Sequence, residues 1–398
     1  MLLVALALAS VSTLTVDDDG PAQFQQIADA IQAAQPGDLV LVEDGTYSPF
    51  ALDKALTILG HGGAHVTGLS TVQSVSSVAL AGLRFDRLGV HDVSGRAVLD
   101  ELEIAGVLYA PPTPGLFIES CSEVIATRLD CRAPLTVGTF KPDSLRVRGS
   151  SLSLVDSSVL GASGEDCFSI ACNGFAGGVG LHAMLSTLVV AGSQLEGGGG
   201  GLDLASTFGG LIDGLGGAGL WLQSSSASLQ GNALTGGLAP GCFDPCEGNA
   251  YTVADSQLVL GGLALSGPIA ATASTAVVPD PFEPWIEISG ATGLGLARRL
   301  DLYAPLGEPC VAALSVQSAL EPWALGGAQP PHLWLDPSAL LDVVGLVGAG
   351  ATVAASHIWI QPATPALAGL ALTVQVAGLE VATGKIPLSN PAAIVLGF

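Results

Sequence analysis

The side chains able to do chemistry fall into a few groups. Arg146 and Arg148 stand two apart in the run LRVR, so on a strand they share a face. Glu119, His182, Trp221 and Phe117 are the other candidates for that face once the repeat described below is applied. Aromatic rings beside Arg make a surface on which sugar rings stack. Glu119 beside Arg148 reads as a surface ion pair, because glycoside cleavage needs a second carboxylate and none accompanies it. His61 lies between two glycines with no adjacent Asp pair and no Arg-x-Lys, so it reads as a turn residue. The residues therefore give no catalytic set.

Cysteines and acids form two more groups. Cys121 and Cys131, Cys167 and Cys172, and Cys242 and Cys246 make close local pairs, while Cys310 is left over. In an exported chain such pairs read as disulfide-closed loops, with Cys310 a buried thiol. A zinc site from Cys167, Cys172, Cys242 and Cys246 with His182 nearby is the alternative. Its C-x4-C and C-x3-C spacings are looser than the C-x2-C of strong zinc motifs, so no metal site is assigned. Asp17, Asp18 and Asp19 are a candidate calcium site without EF-hand spacing, and a solvated acidic run is the simpler reading. No other cofactor is implied.

What must position these residues is a repeat. Segments starting at Leu145, Leu181, Leu220 and Tyr251 align without internal gaps, and a weaker copy starts at Leu116. One column reads Ser150, Ser186, Ser225, Ser256, with Cys121 in the weaker copy; another reads Gly161, Gly197, Gly236, Gly267. Apolar columns are Leu154, Val190, Leu229, Leu260 and Val159, Leu195, Leu234, Leu265. Within each copy apolar residues alternate with others, which is the strand period. Like residues stacked on like, with Gly and Ser at corners, describe a parallel β-solenoid whose rungs lie about 4.8 Å apart. Two more rungs are expected from VALAGLRF and AVLDELEIAG. The alignment puts Phe117, Arg146, His182, Trp221 and Thr252 in one outward column, a flat ladder unless the loops 161–180 and 198–219 cover it. The spacing of Phe24, Ile27, Ala30 and Ile31 predicts a helix over 24–34 that caps the first rung.

Composition sets the outer bounds. The 398 residues include 53 Gly and are 49% hydrophobic but only 12% charged, which excludes a disordered chain. A formal net charge of -23 repels phosphate backbones and excludes nucleic acid as a partner. The apolar, uncharged start MLLVALALASVSTL reads as an export signal, taken here as residues 1–16, although it lacks a basic residue after Met1. No later run has the length and helix character of a transmembrane span.

The stretch VDDDGPAQFQQIADAIQAAQPGDLVLVEDGTYSPFALDKALTILG (16–60) resembles the opening of right-handed parallel β-helix proteins of the pectin-lyase-like superfamily. The resemblance implies an all-β fold: a right-handed parallel β-helix with an N-terminal helical cap over 17–280. After the Pro-rich VVPDPFEPW, strand-like runs between turns predict an antiparallel β-sandwich over 281–398. That part resembles a C-terminal module of exported bacterial repeat proteins. The superfamily contains lyases, hydrolases, tailspikes and adhesins, so fold alone does not assign activity. The expected function is a secreted or cell-surface, non-catalytic protein that binds a polysaccharide or another surface component through Phe117, Arg146, Arg148, His182 and Trp221. The alternatives are a polysaccharide lyase or glycoside hydrolase, and a purely structural envelope protein.

Overall fold

The computed structural model describes residues 12–261 except position 62 and the segments 107–112, 134–140, 165–174, 202–214 and 239–247. Beyond 261 it describes a set of strands and few of their side chains.

Each repeat folds into three short strands separated by two tight corners. The first face stacks Leu116–Glu119, Leu145–Arg148, Leu181–Met184, Leu220–Gln223 and Tyr251–Ala254, all parallel and in register. The second stacks Glu123–Thr127, Ser151–Val155, Thr187–Ala191, Ser226–Gln230 and Gln257–Gly261 in the same way. The third stacks Asp130–Arg132, Ser158–Leu160, Gln194–Glu196, Ala233–Thr235 and Ala264–Ser266. The second face belongs to an 11-stranded sheet; the first and third belong to one 16-stranded sheet. They join because Arg84–His91 is long enough to pair with Glu103–Ala105 along one half and Leu116–Glu119 along the other. VALAGLRF and AVLDELEIAG supply the two expected earlier rungs. The result is a curled, solenoid-like stack of parallel strands. Its interior is filled by the alternating apolar residues, among them Leu154, Val190 and Leu229 from the second face and Val159, Leu195 and Leu234 from the third.

The corners explain the serine column. The residue before it is left-handed in each rung: Ser120, Gly149, Leu185, Ser224 and Asp255 have φ of 56°, 56°, 53°, 49° and 50°. This turns the next residue inward, where its backbone would lose a partner. Ser186 Oγ donates to its own Met184 carbonyl at 2.7 Å, and the Ser186 N–H donates to Ser225 Oγ at 3.1 Å. Ser150 and Ser225 repeat the pattern, making a buried ladder along the axis. A second ladder, not seen in the sequence, runs through Ser157, Ser193 and Asn232 at the other corner.

The glycine column does more than turn the chain. Ala162, Gly178, Gly198, Gly217, Gly237 and Gly248 are joined by successive backbone hydrogen bonds of 2.7–2.9 Å. Outgoing and returning legs of successive loops therefore alternate along the axis, forming a glycine neck beside the coil. A Cβ on Gly217 would lie 1.9 Å from the Gly178 carbonyl oxygen, and one on Gly198 would lie 1.8 Å from that of Ala162. No larger residue fits at Gly198 or Gly217 without moving a backbone.

The N-terminal end is closed as expected, by different bounds. The helix is Ile27–Ala33, with Ile27, Ala30 and Ile31 buried. Phe24 is not helical, because it pairs with Val16 in a β-bridge. Lys54 Nζ reaches back to the carbonyls of Ile31, Gln32 and Ala34, supplying the cation that the last turn lacks. Thr13–Val16, within the stretch read above as the export signal, forms the edge strand of the second face, in register with Leu39–Val42. Its outer edge is covered by Gln23 and Phe24.

The disulfide expectation fails where it can be judged. Cys121 and Cys131 are free and buried. They belong to different columns: Cys121 takes the serine place and donates to the Glu119 carbonyl at 3.3 Å, whereas Cys131 lies on the third face and reaches the Ser144 carbonyl at 3.3 Å. Cys167, Cys172, Cys242 and Cys246 lie outside the described residues. Cys310 is buried, as expected.

After the last parallel strand, Ala276–Pro279, pairing turns antiparallel, in sheets of three, four and two strands. The strand Ala392–Val395 lies on the outside of the second face, where Val395 joins an apolar cluster that runs through Leu39, Leu59, Ala79, Ala81, Val98 and Ile125. Its Val395 N–H donates to Asp100 Oδ2 at 3.0 Å. Among the described residues no helix is long and apolar enough to cross a membrane.

Candidate functional site

The register places the outward column as a ladder. Phe117 pairs with Arg146, Arg146 with His182, His182 with Trp221, and Trp221 with Thr252. A parallel column two residues on reads His91, Glu119, Arg148, Met184 and Gln223. Both columns point away from the core because their alternates, such as Leu220 and Leu222, are fully buried. Strand alternation thus fixes which side chains reach the face, and the serine ladder fixes their height along it.

The ladder is not uniformly open. His182 is buried, and its ring stacks on Trp221 with centroids 4.5 Å apart and planes 7° from parallel. Trp221 covers it and remains 37% exposed. Phe117 meets His91 edge to face at 5.3 Å. The flat exposed ladder expected from the sequence is therefore one broad ring platform over a buried one, flanked by charged groups.

Asp143 organises the centre, and sequence reading missed it. It precedes the strand Leu145–Arg148 and is buried. Its Oδ2 accepts from Arg146 at 2.7 Å and lies 3.0 Å from His182 Nδ1. The contact holds the ring through Nδ1, and the other ring nitrogen, Nε2, is buried with no hydrogen-bond partner. Asp143 sits in the variable loop between repeat cores, so no column marks it. The second carboxylate, Glu119, faces Arg148 at 3.3 Å and His91 Nδ1 at 3.8 Å, forming the surface ion pair expected. Each carboxylate is thus held between a guanidinium and an imidazole. An orienting Asp on a His is half of a general-base arrangement; a bare aromatic beside amide and hydroxyl groups is a sugar platform.

Two other groups lie apart from this face. His61 is exposed in a turn beside Glu43, at 3.2 Å. Asp17, Asp18 and Asp19, at the N-terminal end, bring one oxygen each within 4.8 Å of the others and can chelate a divalent cation such as calcium. Asp17 Oδ1 accepts the Gly20 N–H and Asp18 Oδ2 accepts the Thr46 N–H, so both already serve the local fold.

The sequence matches no family model and no curated protein. The solved structures similar to it include two tailspike domains. One is the enzymatically active domain of tailspike protein 2 of Bacteriophage CBA120, with 11% identity and a TM-score of 0.38, over 92% of this chain and 73% of that one. The other is the corresponding domain of tailspike protein 4 of the same phage, with 10% identity and a TM-score of 0.25, over 90% of this chain and 64% of that one. At those scores neither likeness transfers a residue's role to this chain.

Proposed function

We propose that this is an exported or cell-surface protein, a right-handed parallel β-helix followed by a C-terminal β-sandwich, that binds a polysaccharide along its first face without cleaving it. The right hand follows the strong rule for crossovers between parallel strands of one sheet. Export rests on the apolar, uncharged N-terminal segment MLLVALALASVSTL. The carrying observation is the His182–Trp221 stack, which holds an indole face rigid and part-exposed in a column parallel to the axis. A pre-ordered aromatic face lowers the entropy lost on stacking a sugar ring. Phe117, Arg146 and Arg148 extend the same face toward the N-terminal rungs.

A second reading has its own support. The Asp143–His182 pair has half of a general-base arrangement, and a movement of the Trp221 ring that uncovers Nε2 would complete it for a polysaccharide lyase or hydrolase. Incubation with a panel of polysaccharides separates the two. Saturable binding with no new reducing ends and no unsaturated products supports the binding protein. Product formation lost in His182→Gln establishes the enzyme.

A further inference from the structure

We propose that the first face selects a neutral polysaccharide over one carrying uronate or sulfate groups; the inference rests on the glycan-binding reading above and names its ligand class. Recognition of an anionic sugar needs a cation that is free to form a charge-assisted hydrogen bond. The arginines of the two outward columns are both already held, Arg146 by Asp143 at 2.7 Å and Arg148 by Glu119 at 3.3 Å, and Arg87 at the edge of the face donates to the Thr113 hydroxyl. A sugar carboxylate reaching Arg146 or Arg148 would have to displace a protein carboxylate and would meet its charge. The same internal pairing recurs elsewhere among the described residues, where Arg84 faces Glu103, Arg132 faces Asp130 and Arg299 faces Asp301.

The long-range field acts in the same direction. The chain carries a formal net charge of -23, which lowers the local concentration of any polyanion near its surface. The part of the face beyond the ion pairs suits an uncharged ring. Trp221 and Gln223 are both exposed and outward on one strand, so an apolar platform stands beside an amide. Thr252, the register partner of Trp221, adds a hydroxyl that is already ordered by Asn249 Nδ2 at 2.9 Å. Stacking with amide and hydroxyl bonds recognises a hexose through its C–H face and hydroxyls and needs no charge.

The test uses the full chain and isothermal titration against soluble neutral glucans, mannans and galactans, with polygalacturonate and a sulfated galactan as the anionic arm. The expected result is binding of a neutral glycan at least about tenfold tighter than either polyanion. That affinity should be unchanged between about 50 and about 300 mM NaCl. Trp221→Ala should lower it about tenfold or more with an unchanged melting temperature, and Trp221→Phe should restore part of the loss. Preference for a polyanion, with affinity falling as salt rises, would overturn the selectivity while leaving glycan binding intact. Neutral-glycan binding that survives Trp221→Ala would remove the assigned site. Binding of no glycan in either arm would overturn the underlying reading and this inference with it.

Discussion

Ser186 shows how much one small side chain can hold. Its hydroxyl donates to Met184 and accepts from Ser150, and its own N–H is received by Ser225, all in the buried corner. Ser186→Ala should destabilise by about 1–3 kcal/mol, since it leaves a buried N–H without an acceptor. Cys121 performs the donor half of this task in its own rung, so Ser186→Cys should lie between Ser and Ala in chemical denaturation. Equal loss for Cys and Ala would show that the thiol does not substitute. This column was legible because one residue type recurs at one place in a gapless core. Asp143 was not, because its position in a loop of varying length carries no periodic signal, although it fixes His182 and Arg146.

Among elements, the glycine neck is the most demanding. The sequence showed Gly161, Gly197 and Gly236 as a corner column, each one residue before Ala162, Gly198 and Gly237 of the outgoing leg. The returning leg, with Gly178, Gly217 and Gly248, escaped notice because loops of unequal length separate it from the aligned cores. Two kinds of glycine can be told apart by substitution. Gly149 has φ of +56° with open space around it, so Gly149→Ala should cost only about 1–2 kcal/mol of backbone strain. Gly217→Ala drives a Cβ to 1.9 Å from a backbone oxygen that cannot move aside, and should cost about 3 kcal/mol or more, or prevent folding. Similar losses in urea denaturation for the two would contradict the interleaved neck. The helix lost its expected first residues for a related reason: pairing at the sheet edge outcompeted helical spacing at Phe24.

At the scale of the whole molecule, the strand Ala392–Val395 returns to the solenoid where no local pattern could reveal it. Asp100 and Val395 are 295 residues apart, and their bond is a matter of tertiary packing alone. Burial raises the Asp100 carboxyl to about 6, against the opposing pull of Arg128 and the Val395 N–H, with Glu101 adding to the rise. The other charges on the strands packed here are Arg96 and Glu123, which pair with each other, and Ala392–Val395 carries no titratable side chain. A carboxyl whose folded pKa lies above its unfolded value binds its proton more readily when folded. The folded state is therefore favoured as pH falls through about 6 toward the ordinary value of 3.8, by a total of about 3 kcal/mol. Melting temperature should rise between about pH 7 and about pH 5, and Asp100→Asn should remove that part of the slope while keeping an acceptor for Val395. An identical pH slope in Asp100→Asn would show that the Asp100 carboxyl is not buried in this way.

Binding along the first face is tested most directly by a structure of the protein soaked with a neutral oligosaccharide. Glycan-platform function predicts sugar density running parallel to the solenoid axis, with one ring face against the Trp221 indole and its hydroxyls near Gln223 and Thr252. Sugar density confined to the C-terminal antiparallel strands, or to any face lacking Trp221, would contradict it.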